Sequence, residues 1–156
     1  MKIVVACDSF KGCMKSEEAN AHVRNGIHRL DDTIEVKSFP IADGGEGTVD
    51  AFVQTCAGEY VEVNTTDAYG KKITTTYGVI EDGATAVLEV ANIIGLQMHP
   101  KEKRAPYFGS SFGVGTVILD AVRRGCKKII VGLGGSATND GGMGLLQALG
   151  CRFYDH

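Results

Sequence analysis

Apolar positions along the chain alternate between runs that suit strands and spacings that suit helices. Lys2–Cys7 (KIVVAC) is an almost continuous apolar run, the signature of a strand buried on both faces. A polar loop follows, and Ser16 with Glu17 and Glu18 opens a helical pattern to about Leu30, with Ser16 as N-cap and the two acids at the positive helix end. Ile34–Ile41 predicts a second strand and Thr48–Cys56 a second helix, so the first third of the chain predicts a right-handed parallel βαβα unit. From Tyr60 to Val90 the pattern changes to strands separated by turn signals at Tyr69-Gly70 and Glu81-Asp82-Gly83, which predicts an antiparallel meander. Asn92–Leu96 predicts a short helical turn, and His99–Pro106, with two of the three prolines and a charge cluster, predicts a linker. A helix over Phe112–Arg124, a strand over Lys127–Val131 and a short helix around Leu145–Leu149 follow. Cys151–Asp155 reads as the start of a further strand, which predicts a piece of a longer protein.

Three loops in this pattern carry the polar chemistry. Asp8 follows the first strand, with Ser9, Lys11 and Gly12 behind it. Asp43 follows the second, within Ala42–Thr48 (ADGGEGT), which also holds Gly44, Gly45 and Glu46. The third is Gly132–Gly144 (GLGGSATNDGGMG), six of whose thirteen residues are glycine. In open α/β sheets ligands sit beyond the carboxyl ends of the strands, so the three loops can line one cleft. Carboxylates hold Mg²⁺ or take a hydroxyl proton, a lysine neutralises phosphate oxygens, and glycine-rich backbone amides cradle phosphates, which together suit phosphoryl transfer. Each residue also has a plainer reading. Asp8 and Asp43 can cap their loops, Lys11 can be solvated, and Asp140 can cap the last helix. Arg104 can clamp a substrate carboxylate or lie on the surface of the linker, and Ser110 and Ser111 read as capping residues.

Composition narrows the classes. The chain has 156 residues, the size of one ordinary domain, 22% charged residues and a formal net charge of −3. Its 16 basic residues are scattered rather than striped, which argues against nucleic acid, and no apolar run reaches the roughly 18 residues of a membrane span. Five cysteines without a CxxC pair, and four histidines without HxxxH spacing, favour core thiols in a reducing cytoplasm over a disulfide or metal framework. Cys13, in a polar loop, is a candidate reactive thiol. Ser136 lacks the GxSxG context of a hydrolase nucleophile. An alternative is that Gly132–Ala137 (GLGGSA), with Asp155 some 20 residues on, is the dinucleotide fingerprint of an oxidoreductase; the further turn Asn139–Gly142 before any helix speaks against it.

DSFKG (Asp8–Gly12), ADGGEGT (Ala42–Thr48) and GGSATNDGGMG (Gly134–Gly144), in this order and spacing, resemble the glycerate kinase family of bacterial type. Leu88–Leu96 and Arg104–Ala121 are similar to its connecting segments, so the resemblance runs over essentially the whole chain. Cys13 stands where the family usually has serine, and Thr116 where an acidic residue is common. The resemblance implies the N-terminal portion of a two-domain α/β kinase built of parallel βαβ units with an antiparallel hairpin segment. It implies a first domain portion over 1–96 and the beginning of a second over 97–156. It further implies ATP and Mg²⁺ as cofactors, D-glycerate as the small-molecule partner, and a phosphoglycerate product with the 2-phospho isomer favoured. Catalytic roles then fall to Asp43, Lys11 and Asp8, and metal binding to Asp43 and Asp140. Nucleotide binding falls to Gly134, Gly135, Ser136, Thr138, Asn139, Asp140, Gly141 and Gly142, and substrate binding to Ser9, Gly44, Gly45, Glu46 and Arg104. Activity is expected of the longer protein, not of these 156 residues alone.

Overall fold

A computed structural model describes residues 1–10 and 12–154 of the chain. Strands β1 (Lys2–Val5) and β2 (Glu35–Ser38) run parallel, with Lys2 opposite Glu35 and Val5 opposite Ser38. Helix α1 (Ser16–Leu30) makes the crossover that a parallel pair requires. Lys15, not Ser16, occupies its N-cap position, and the Glu18 carboxylate accepts the Lys15 N–H at 3.0 Å. Ser16 is instead the first helical residue, and its hydroxyl is used in a long-range contact described below. Helix α2 (Thr48–Thr55) follows β2.

The expected meander forms from β3 (Glu59–Thr66), β4 (Lys72–Ile80) and β5 (Thr85–Glu89), each antiparallel to its neighbour. Asp67 closes the first turn by accepting the N–H groups of Tyr69 and Lys71, both at 2.9 Å. Helices α3 (Ala91–Ile94) and α4 (Phe112–Arg123) lead to β6 (Lys128–Gly132), which joins the sheet parallel to β5 and gives the order β3-β4-β5-β6. Between α3 and α4, the Pro-containing connection forms short 3-10 turns at Lys101–Lys103 and Pro106–Phe108. Helix α5 (Met143–Ala148) closes the described chain.

Strand alternation assigns the two faces of this sheet. Tyr77, Ala86 and Leu88 face α4, where Val114, Val117 and Ala121 complete the core and the Tyr77 hydroxyl donates to Asp120. Gly78 faces the other way, against Val49 and Val53 of α2. Every residue of β5 is buried, as expected of a strand covered on both sides.

β5 and β6, from either side of residue 96, pair from Thr85–Lys128 to Glu89–Gly132 and share one core. One expectation is revised. Of the strand expected over Cys151–Asp155, Cys151–Tyr154 is exposed and pairs with no strand among the described residues, and Asp155 lies outside those residues.

Candidate functional site

Parallel pairing brings the carboxyl ends of β1 and β2 side by side, and two polar residues of α1 tie those ends together. Asn20, only 2% exposed, accepts the Cys7 N–H at 2.8 Å and donates to the Phe39 carbonyl at 2.9 Å. The Ser16 hydroxyl donates to the Cys7 carbonyl at 2.6 Å and accepts the Ile41 N–H at 2.9 Å. Asp8 and Asp43, beyond these anchored ends, are both exposed. Asp8 accepts the Ser9 N–H, and Asp43 accepts the Gly45 N–H at 3.1 Å, so each carboxylate is held by its own loop with oxygen left for a ligand. Lys11 lies outside the described residues.

The Asp43 loop and the glycine loop interlock through backbone. Gly134 donates its N–H to the Gly44 carbonyl at 2.8 Å. A Cβ on Gly134 would stand 2.7 Å from the Gly45 Cα, so no larger residue fits without parting the loops. On its other side the glycine loop bridges the segment after α3: Leu96 N–H donates to the Gly135 carbonyl and Ala137 N–H to the Ile94 carbonyl, both at 2.8 Å. Ser136 and Thr138 hydroxyls lie 3.0 Å apart, and the Thr138 N–H donates to Ser136 Oγ. Among the described residues, the N–H groups of Gly135, Ser136, Asn139 and Gly141 meet no protein acceptor. Gly109 packs on Ala137 and Thr138, which carries the Arg104–Ser111 segment past the loop. Arg104 itself turns back, donating through Nε to the His99 carbonyl at 3.0 Å, and no described contact joins it to Asp43 or to the glycine loop.

Both helices that follow these loops have their N-termini closed by carboxylates of the chain itself. Asp140 Oδ2 accepts the Ser111 N–H (2.7 Å), the Ser111 hydroxyl (2.8 Å) and the Gly144 N–H (3.1 Å), while Oδ1 accepts the Gly142 N–H (3.1 Å). The Ser111 hydroxyl in turn accepts the Leu145 N–H at 2.9 Å. Burial pushes the Asp140 carboxyl upward, but the donors from Ser111, Gly142 and Gly144 outweigh it and hold the group below its ordinary value. Asp140 is thus engaged chiefly as a cap, and Oδ2, with three donors, has no lone pair to offer a metal.

At α2 the carboxylate comes from β5. Glu89, 2% exposed, accepts the Gly47 N–H on Oε1 at 3.3 Å and the Val49 N–H on Oε2 at 2.9 Å. Here burial dominates and raises the pKa, the N–H groups of Val49 and Gly47 opposing it only partly. Glu89, Asn20 and the Ser111–Asp140 pairing are absent from the sequence reading. The available signals were an acid ending the apolar run Ala86–Leu88, and an asparagine beside Ala19 on the inner face of α1.

No group of three or more His, Cys, Asp or Glu side chains among the described residues forms a self-contained metal cage. Mg²⁺ in phosphoryl-transfer sites characteristically takes one or two carboxylates, with phosphates and waters completing its shell, and exposed Asp43 and Glu46 fit that donor set. A dinucleotide does not fit as well. The fingerprint needs a helix starting within the motif, whereas α5 starts at Met143, beyond Gly132–Ala137, and Gly135 and Ala137 are spent on the bridge to Ile94–Leu96.

The model of the family described as "Glycerate kinase family" matches residues 3–156. The chain is similar to glycerate 2-kinase of Escherichia coli K12, 41% identical over 155 residues, which is 99% of this chain and 41% of that protein. It is also similar to glycerate kinase of Bacillus subtilis 168, 40% identical over 100% of this chain and 41% of that protein. A solved chain from Salmonella typhimurium LT2, provisionally named glycerate kinase 2, superposes with a TM-score of 0.85 at 41% identity, covering 99% of this chain and 42% of that one. The chain therefore spans about two fifths of the length of these relatives.

Proposed function

The chain belongs to the glycerate kinase family, and from that premise we propose that it forms one wall of an ATP-dependent D-glycerate kinase site. The observation that carries this reading is the interlock of Gly134 and Gly44, which holds exposed carboxylates and free backbone amides at one edge of the fold. The amides of Gly135, Ser136, Asn139 and Gly141 bind phosphate oxygens, with the Ser136 and Thr138 hydroxyls beside them. Asp43 takes the proton of the glycerate hydroxyl or holds the magnesium side of the phosphates, with Glu46 as its neighbour. Asp8 orients substrate from the adjoining strand end, Lys11 neutralises phosphate charge, and Ser9, Gly44 and Gly45 line the glycerate side, which Arg104 joins only by releasing the His99 carbonyl. Asp140 shapes the glycine loop through Oδ2, and its Oδ1, with one donor, is the oxygen it offers the metal.

Bound Mg·ATP supplies the transferable phosphoryl group and the neutralising charge. The hydroxyl oxygen of glycerate forms the new P–O bond as the bond from the γ-phosphorus to the β–γ bridging oxygen breaks, and the hydroxyl proton passes to the carboxylate base. The 2-phospho product is favoured by the name of the Escherichia coli relative. A cytoplasmic location accords with five unpaired cysteines. The test is ADP release by the full-length protein with D-glycerate and Mg·ATP, alongside an NADH titration. Turnover with D-glycerate and no NADH binding is expected. Tight NADH binding without ADP release would replace the kinase by the oxidoreductase alternative. The 156-residue chain in the same assay is expected to be silent.

A further inference from the structure

We propose that Glu89 is a positioning residue for phosphoryl transfer, fixing the Asp43 loop while keeping the α2 N-terminus from drawing the phosphates; the inference rests on the kinase reading above. Ala86, Val87 and Leu88 before it are apolar, and strand alternation aims Glu89 to the same side as Val87, at the start of α2. Burying a carboxylate there is costly, and an apolar side chain would fill the space without that cost. The acid gains two backbone donors, Gly47 at the N-cap of α2 and Val49 in its first turn, which follow Asp43 and Glu46 in the chain. Gly47 has φ +90°, a left-handed entry to the helix that glycine adopts freely, and its N–H is thereby turned to the Glu89 carboxylate. The residue just past the strand, Val90, donates its N–H to the Gly132 carbonyl at 2.9 Å, at the root of the glycine loop. The end of β5 therefore grips both loops: one through the Glu89 carboxylate, the other through the Val90 amide.

The electrostatic consequence is as specific as the mechanical one. A free helix N-terminus attracts phosphate. Glu89 places a carboxylate on that end of α2, which leaves the unpartnered amides of the glycine loop as the stronger anion cradle. Phosphate is directed to one loop, and the hydroxyl and metal to the other.

The experiment measures kcat, KM for D-glycerate and the equilibrium dissociation constant for Mg·ATP in the full-length protein, for wild type, Glu89→Gln and Glu89→Asp. Glutamine keeps the volume but turns an amide donor toward a backbone N–H. Its kcat per nucleotide-binding site is expected to fall roughly ten- to hundredfold, because displacement of reacting groups by an ångström has that effect. Nucleotide affinity should stay within about twofold. Aspartate keeps the charge but retracts it by one methylene, and should recover part of kcat. Hydrogen exchange at Gly47 and Val49 should quicken in both variants. A kcat per site that is unchanged in Glu89→Gln, or one that falls only in parallel with nucleotide binding, overturns the positioning role. Absence of glycerate turnover in wild type removes the kinase reading itself and the inference with it, a result distinct from a silent substitution in an active enzyme.

Discussion

The two glycine loops that meet at Gly44 and Gly134 are built in opposite senses. The Asp43 loop turns its carboxylates outward and has the amides behind it, at Gly47 and Val49, consumed by buried Glu89. The Gly132–Gly144 loop turns its carboxylate, Asp140, inward onto Ser111, Gly142 and Gly144, and leaves the amides of Gly135, Ser136, Asn139 and Gly141 facing no acceptor among the described residues. Glycine content is therefore a poor guide to what a loop offers a ligand. Which of its polar groups have already been used by the protein decides between an acidic loop and an anion cradle.

This contrast can be broken most severely at its charged side. Asp43→Asn in the full-length protein should lower kcat by roughly 10²–10⁴-fold, the usual effect of losing a positioned acid or base. Its melting temperature should stay near wild type, while its Mg·ATP affinity separates the two roles: unchanged for the base, weakened for the magnesium ligand. Steady-state kinetics with a binding isotherm checks this, and turnover like wild type would remove Asp43 from the chemistry. Gly134→Ala attacks the interlock instead. The added Cβ would stand 2.7 Å from the Gly45 Cα, so the loops must separate, at a cost of about 1–3 kcal/mol. Nucleotide binding and turnover should fall together in that variant.

Asp140→Asn tests the inward carboxylate. It replaces an acceptor of several donors by a group that also donates, and the lost cap should cost about 1 kcal/mol in a urea melt. The kcat per folded site separates the two roles of Asp140: nearly unchanged for the cap alone, lowered for the metal ligand. The smallest effect is a difference in sign with pH. Asp140 is held below its ordinary value of 3.8, so its contribution is complete above that pH and is lost as pH falls through the lower folded value. Glu89 is raised above 4.5, so its contribution is complete below 4.5 and is lost as pH rises through the folded value. Urea midpoints across the acid range should show Asp140→Asn flattening the low-pH limb and Glu89→Gln flattening the limb above it.

Much of this fold was legible in the chain. The meander, its turns at Tyr69-Gly70 and Glu81–Gly83, and helices α1, α2 and α4 follow local periodicities that survive folding. Ser16 shows where local reading ends: it has the chemistry of a cap, yet its hydroxyl bridges Cys7 and Ile41. The pairing of β6 with β5 across the Pro-containing connection is likewise a contact that no local pattern records.

The sequence by itself determined the elements, the order of the three polar loops and the residue types each could offer, since strand alternation, helical spacing and glycine turns depend on neighbours a few positions apart. Only the tertiary structure decided which of those groups remain available. The amide of Gly47 is satisfied by a carboxylate 42 residues away, and the Ser111 N–H by one 29 residues away. Hydrogen-bond satisfaction is a property of what surrounds a group in space, and no local pattern records it.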